Sequence, residues 1–197
     1  MDLYAKHRRL VIRVRDLPTP RTIRLETPNY LLRTLEPSDA TASWGDWLTD
    51  PAAAQNLNAR PVHMTIADIR AYVDKFDRAT SHLLGIFAKE TNALIGIRSI
   101  HIDWQRREFL VNVLVGESEA RNKGARGETR TVMYRYFFEE LGLDAARCSV
   151  LSTNAPMLDV MKRNGWLHEH ISRKPEANGQ GDVELHHFRL TRDAWRQ

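Results

Sequence analysis

Between Arg121 and Thr129 the chain reads RNKGARGET, with three cationic side chains, Arg121, Lys123 and Arg126, set around Gly124 and Gly127. Each component suits an anionic ligand. Glycine lets the backbone come close and take positive φ. Arginine can fork onto phosphate oxygens. If this run joins a strand to a helix, backbone N–H groups and the positive end of the helix dipole converge on the same spot. A diphosphate fits such a turn. The common nucleotide patterns are absent: there is no G-x-x-x-x-G-K-[ST], and Gly124-Ala-Arg-Gly127 lacks the spacing of G-x-G-x-x-G. On the loop alone, a plain strand-to-helix connection with solvated charges stays open.

The flanking elements must position that turn. Before it, EFLVNVLVG places Phe109, Val111, Val113 and Val115 on one face and Leu110, Asn112 and Leu114 on the other, which predicts a central strand covered on both sides. After it, Val132, Met133, Tyr136, Phe137 and Leu141 form an apolar helical stripe, closed by Gly142. Upstream, NYLLRTLEPSDA predicts a strand and then a helix through Trp44, Trp47 and Leu48, capped by Asp39 and stopped at Asp50-Pro51. Thr65 is expected to cap a second helix carrying Ile66, Ile69, Tyr72, Val73 and Phe76. HLLGIFAKE and ALIGIRSIHID read as strands joined at Thr91-Asn92. ARCSVLST, a short helix from Asn154 to Gly165, WLHEHI and VELHHFRL complete the order. Strand, two helices, three strands, helix, strand, helix and two strands make a mixed α/β sheet with helices on both faces.

Composition sets outer bounds. A chain of 197 residues predicts one domain. No apolar run approaches the ~20 residues that span a bilayer, and the N-terminus lacks a secretory pattern, so a cytoplasmic location with no membrane partner is expected. Cys148 is the single cysteine, which leaves no intrachain disulfide and no multi-thiolate zinc site. The net charge of +4 is concentrated in residues 1–28, where seven Lys/Arg face three carboxylates; the rest of the chain holds 22 of each sign. Residues 1–28 are read as a basic extension and 29–197 as the domain. No aromatic platform accompanies the extension, which disfavours nucleic acid as a partner.

The run LVGESEARNKGARGETRTVMYRYFFEELGL, followed by VLSTNAPMLDVMKRNGW, resembles the GNAT superfamily of acetyltransferases, and most closely its ribosomal-protein N-terminal alanine acetyltransferase branch. Asn154, Arg163, Gly165 and Trp166 match a second family pattern, and the similarity runs over residues 29–197. It implies a GNAT fold: a mostly antiparallel sheet of about six to seven strands, the fourth and fifth splayed apart. It implies acetyl-CoA as cosubstrate, with an amine as the acceptor. Carried over residue by residue, Arg121, Asn122, Lys123, Gly124, Ala125, Arg126 and Gly127 would hold the pyrophosphate. Val115, Gly116 and Glu117 would run along the pantetheine, with Gly116 helping the splay. Asn154 would bond the pantetheine and Arg163 would lie near the nucleotide. Arg126 stands where the family keeps Gly or Ala.

Acetyl transfer to an amine needs a base for the ammonium, a donor for the oxyanion and a proton for the leaving thiolate. A backbone N–H at Val115–Glu117 is the expected oxyanion donor. Glu117 and Glu108 are the candidate bases, with His101 and Asp103 behind them. The family's tyrosine and serine acids are replaced here by Met161 and Met157, leaving Ser152, Ser149 or water. His168 and His170 are expected on one strand face, with His186 and His187 pointing oppositely, so no metal is expected. Cys148 is read as strand packing. The acceptor would be read by residues 50–64 and 172–182, through Asn56, Asn58, Arg60, His63, Arg173 and Lys174, a polar or cationic set suited to a carboxylated or phosphorylated acceptor. The missing tyrosine and serine also raise a non-catalytic acyl-CoA-binding regulatory module as the alternative. A homodimer is compatible with either reading.

Overall fold

The computed structural model describes residues 18–117, 124–179 and 181–196. Its strands are β1 Arg24–Glu26, β2 Tyr30–Thr34, β3 Ser81–Ala88, β4 Ala93–Asp103, β5 Glu108–Val115, β6 Ala145–Leu151, β7 Leu167–Pro175 and β8 Asp182–Thr191. They form one sheet in the order β1-β2-β3-β4-β5-β6-β8-β7. Every neighbouring pair is antiparallel except β5 and β6, which run parallel. The eighth strand comes from the stretch expected as extension. β1 pairs Leu25 with Leu32, and Ile23 beside it is 1% exposed, so the sheet begins before residue 29.

Two apolar cores lie on opposite faces. α1 Ala42–Asp46 and α3 Ile66–Val73 cover one face, where Trp44, Trp47, Ile69 and Val73 meet Leu83, Phe87, Leu94 and Ile97. On the other face sits α4 Ala125–Arg135, continued by a π-helical turn over Tyr136–Glu140, together with α5 Ala155–Arg163. α2 Pro51–Asn56 lies between α1 and α3 in sequence, and α6 Arg192–Trp195 ends the described chain. Among the described residues no helix is long and apolar enough to cross a membrane.

Local rules account for most boundaries. Thr65 caps α3 as expected, its hydroxyl accepting from Asp68 N while the Asp68 carboxylate accepts from Thr65 N. Asp39 does not cap α1; Thr41 does, accepting from Trp44 N at 3.3 Å. Asp39 is drawn instead into a bidentate pair with Arg33 at 2.6 and 2.7 Å, a stronger partner than one backbone amide. Pro51 opens α2 rather than merely ending α1, because a first-turn proline forfeits no helical hydrogen bond.

The buried stripe of α4 is rotated from the one expected. Thr129, Met133, Tyr134, Phe137 and Phe138 face inward, while Val132, Tyr136 and Leu141 are only partly covered. Phe109 of β5 sets this rotation, its ring lying 4.9 Å from Phe137, 5.3 Å from Phe138 and 5.8 Å from Tyr134. Gly142 ends the helix at φ 68°, where Leu143 N donates back to the Phe137 carbonyl.

Candidate active site

β5 and β6 pair over only three positions, Glu108 with Ala145, Phe109 with Ala146 and Leu110 with Arg147. Past that point β5 stays with β4 as far as Val115, and β6 stays with β8 as far as Leu151. Each strand is held by its outer neighbour, and sheet twist carries them apart. The gap is a cavity of about 590 Å³. Its walls include Val111–Val115 of β5 and Cys148–Val150 of β6. Tyr134 of α4, Met157 and Met161 of α5, and Asn56 of α2 complete it, so it passes from one face of the sheet to the other. β5 is therefore not covered on both sides along its length: Leu110 and Asn112 are exposed.

At one mouth of this cavity stands the first turn of α4. Gly124 caps it at φ 79°, and no atom lies within 4 Å of where its Cβ would be, so the backbone can be approached. Gly127 is equally open, and Arg126 is exposed along the cavity wall. Arg121, Asn122 and Lys123 lie outside the described residues. Beneath the turn is Arg98 of β4, 2% exposed. Its guanidinium donates to the Arg126 carbonyl at 2.6 Å and to Thr129 Oγ1 at 3.0 and 3.3 Å. Thr129 in turn donates to the Ala125 carbonyl at 2.6 Å. No carboxylate pairs with Arg98 among the described residues, and burial pushes its pKa down to about 10. A buried cation under a helix N-terminus favours an anion at that mouth, and the pyrophosphate of an acyl-CoA fits it.

The remaining expected ligand residues divide. Asn154 lines the cavity and caps α5, accepting from Met157 N at 3.3 Å, so its capping and ligand roles share one position. Arg163 does not line the cavity; it folds back on the Asp159 carbonyl. Arg130, one face over on α4, does line it and donates to Asn164 at 2.8 Å. Gly116 serves a packing need: a Cβ there would overlap the Trp47 indole. The N–H groups of Gly116 and Glu117 both donate to the Ile95 carbonyl, which engages the amides expected to serve the oxyanion.

The candidate acid–base groups are likewise sorted. Glu117 accepts from Trp47 Nε1 at 3.2 Å. Glu108 has a side chain only 12% exposed and is held by Arg189 at 2.9 Å and Arg147 at 3.4 Å, so its charge is spent in an ion-pair network. Ser152 stands outside the cavity wall, with its backbone N bonded to Glu184. Ser149 stands on the wall, its Oγ 3.0 Å from His187 Nδ1. Burial pushes the Cys148 thiol up to about 11, which keeps it protonated at neutral pH and unsuited to nucleophilic attack.

His168 and His170 do not share a face. The register of β7 on β8 shifts between them, and this bulge turns His168 toward His186, at 3.1 Å, and Phe188, while His170 stacks on His187 at 4.3 Å. Among the described residues no cluster of three or more His, Cys, Asp or Glu is arranged to hold a metal.

Two segments expected to read the acceptor are tied together. Asn58 donates to the Pro175 carbonyl at 3.0 Å and accepts from Ala177 N at 2.9 Å, and Arg60 donates to the Ala177 carbonyl at 2.7 Å. His63 is bonded to Asp46 and Arg173 to Glu184. Four of the six polar groups expected to meet an acceptor are thus engaged within the chain, although Arg60 bonds only a neutral carbonyl and keeps its charge. Beside them, a smaller hollow of about 210 Å³ is lined by Trp44, Leu57, Tyr72, Ser99, Asn112 and Leu114.

Residues 29–166 match the family model described as an acetyltransferase (GNAT) domain. The chain belongs to the GNAT acetyltransferase family. Solved structures agree on the fold. A GNAT-family acetyltransferase from Bacillus anthracis superposes with a TM-score of 0.72 at 18% identity, covering 87% of this chain and 99% of that one. The ribosomal-protein-S5-alanine acetyltransferase from Vibrio fischeri gives 0.70 at 15%, covering 89% and 100%. A ribosomal L7/L12 alpha-N-protein acetyltransferase gives 0.72 at 15%, covering 88% and 99%. Comparison with curated protein sequences finds no match. As a GNAT acyltransferase, the chain has its family's splayed strands and its glycine-capped α4 in the expected places. Arg98 and Arg130 line the cavity, and neither is among the residues expected from the sequence. Only Arg98 carried a signal, as a lone cation inside the otherwise apolar run ALIGIRSI.

Proposed function

We propose that this GNAT acetyltransferase transfers the acetyl group of acetyl-CoA to a primary amine by direct attack in a ternary complex. One observation carries the reading: the gap between β5 and β6 is open through the sheet, with an anion-adapted mouth at α4 and a second mouth on the α1–α3 face. Acetyl-CoA, when bound, supplies an activated thioester. Residues Arg121 to Gly127, which run into the first turn of α4, would bind its pyrophosphate, reinforced from below by Arg98. The edge of β5 from Val111 to Val115, which lacks a strand on its β6 side, would run along the pantetheine, and Met157 and Met161 would exclude water from it. The amine would arrive from the α1–α3 face, beside the hollow lined by Trp44, Tyr72 and Asn112. The ribosomal-protein acetyltransferases among the fold neighbours make an N-terminal alanine one acceptor worth presenting.

The test is thermal melting with acetyl-CoA, followed by thiol release across a panel of amines that includes alanine-leading peptides. We expect a rise in Tm with acetyl-CoA, and turnover with at least one primary amine. Gly124→Glu should abolish the rise, because it places a carboxylate at a positive-φ position facing the phosphates. No rise at millimolar acetyl-CoA, or a rise without turnover of any amine, overturns the proposal.

A further inference from the structure

Ser149 borders two cavities at once. It lines the gap between β5 and β6, and it lines a hollow of about 440 Å³ shared with His101, Glu108, Arg147, His170 and His187. Ser149 and His187 are directly opposite in the β6–β8 register, with Oγ 3.0 Å from Nδ1. The other ring nitrogen, Nε2, lies 2.7 Å from Ser172 Oγ. His170 stacks on the ring at 4.3 Å and 12°, which fixes its plane. The imidazole is therefore held at both nitrogens by hydroxyls, in one orientation, and one of those hydroxyls belongs to a residue that lines the gap.

We propose that Ser149 and His187 form the proton relay that deprotonates the acceptor ammonium. This rests on the acetyl-transfer reading above. The ammonium gives one proton to Ser149 Oγ as the Ser149 hydroxyl proton passes to His187 Nδ1. The neutral amine then forms its N–C bond to the thioester carbon as the C–S bond breaks. Sulfur leaves with the electron pair and takes the second nitrogen proton, and His187 later releases its proton to water. Before the step, Nδ1 accepts from Ser149 while Nε2–H donates to Ser172; afterwards the imidazolium donates to both hydroxyls.

The surroundings suit a base. His187 is faced by His168, Glu169 and His170 from β7 and by Arg147 from β6. Burial holds its pKa below the usual 6.5, helped by His170 and Arg147 and opposed by Glu169, so the ring is neutral and able to accept at neutral pH. The rival carboxylates in this hollow are each ion-paired: Glu108 with Arg147 and Arg189, Glu169 with Arg147 and Asp103 with Arg106.

The experiment compares wild type with His187→Gln, Ser149→Ala and Ser172→Ala, using the amine that wild type acetylates fastest. Glutamine can still bond both serines, which protects the fold. His187→Gln should lower kcat about 100-fold while leaving the acetyl-CoA KM and the acetyl-CoA rise in Tm unchanged. The acidic limb of kcat/KM, which climbs as pH rises through the His187 titration below 6.5, should vanish in that variant. Imidazole should partly rescue His187→Ala. By NMR on the ligand-free protein, Ser149→Ala should move the His187 titration. Wild-type kcat with an intact acidic limb in His187→Gln overturns the relay and leaves acetyl transfer standing. An acetyl group trapped on Ser149 by mass spectrometry also overturns it, because the serine would then be a nucleophile. Absence of turnover by wild type with any amine overturns the acetyl-transfer reading, and the relay with it.

Discussion

Around the β5–β6 gap the two faces of the sheet differ in kind. On the α4 face, Phe109, Tyr134, Phe137 and Phe138 pack ring on ring, and among the described residues the buried cation there, Arg98, is bonded to neutral oxygens. On the opposite face, strands β5 to β8 present Ser149, His170, His187, Glu108 and Arg147 to a hollow, and Arg189 pairs with Glu108 beside it. The first face is dry and holds a fixed charge. The second holds hydroxyl, imidazole and ion-paired groups. A transfer reaction divided along this line keeps phosphate recognition, which needs permanent charge, away from proton handling, which needs a titrating group.

That contrast can be broken at its hinge first. Gly116→Ala should have the largest effect, because the new methyl overlaps the Trp47 indole where β5 leaves the sheet. Overpacking of this kind costs about 2 kcal/mol, and we expect a clear fall in Tm together with weaker acetyl-CoA binding. Arg98→Met sharpens the contrast by splitting two readouts. It should weaken acetyl-CoA about tenfold in titration calorimetry, about 1.4 kcal/mol, while the ligand-free Tm holds or rises, since an unpaired buried cation is removed. A fall in ligand-free Tm without loss of affinity would make Arg98 a strut for α4 and nothing more.

A smaller effect should come from His82, 1% exposed, with Nδ1 unpartnered and its pKa lowered from 6.5 to about 4 by burial. Between those values the unfolded chain binds the extra proton, so stability is fully present above pH 6.5 and declines as pH falls toward 4. His82→Phe should flatten the Tm-versus-pH curve over that window. The smallest change should be at Cys148, whose thiol stays protonated. Iodoacetamide at pH 7.5 should label it far more slowly than a free cysteine, and Cys148→Ala should retain turnover.

What could be read from the sequence follows the range of the interactions involved. Thr65 as a helix cap, and Gly142 after an apolar helix, are decided within a few residues, and both stand where the sequence placed them. Asp39 failed as a cap because Arg33, on a strand, competed for its carboxylate. The α4 stripe was read about one residue out of phase because Phe109, from a different element, chose which aromatics turn inward. Spacing alone put His168 and His170 together, and a bulge that only the β8 register dictates set them apart. Arg121 to Gly127 stands out by composition as a candidate phosphate turn. Ser149 opposite His187 could not, since 38 residues and an antiparallel register bring them together.

The bond between residues 58–60 and 175–177 has a consequence for how specificity can change in this protein. Asn58 and Arg60 grip backbone groups of the β7–β8 hairpin, so the two stretches flanking the proposed amine entrance behave as one mechanical part. Grafting either stretch alone from a relative would sever the clasp and loosen the entrance before any new contact formed. Acceptor choice here should be inherited, and engineered, as a matched pair of loops.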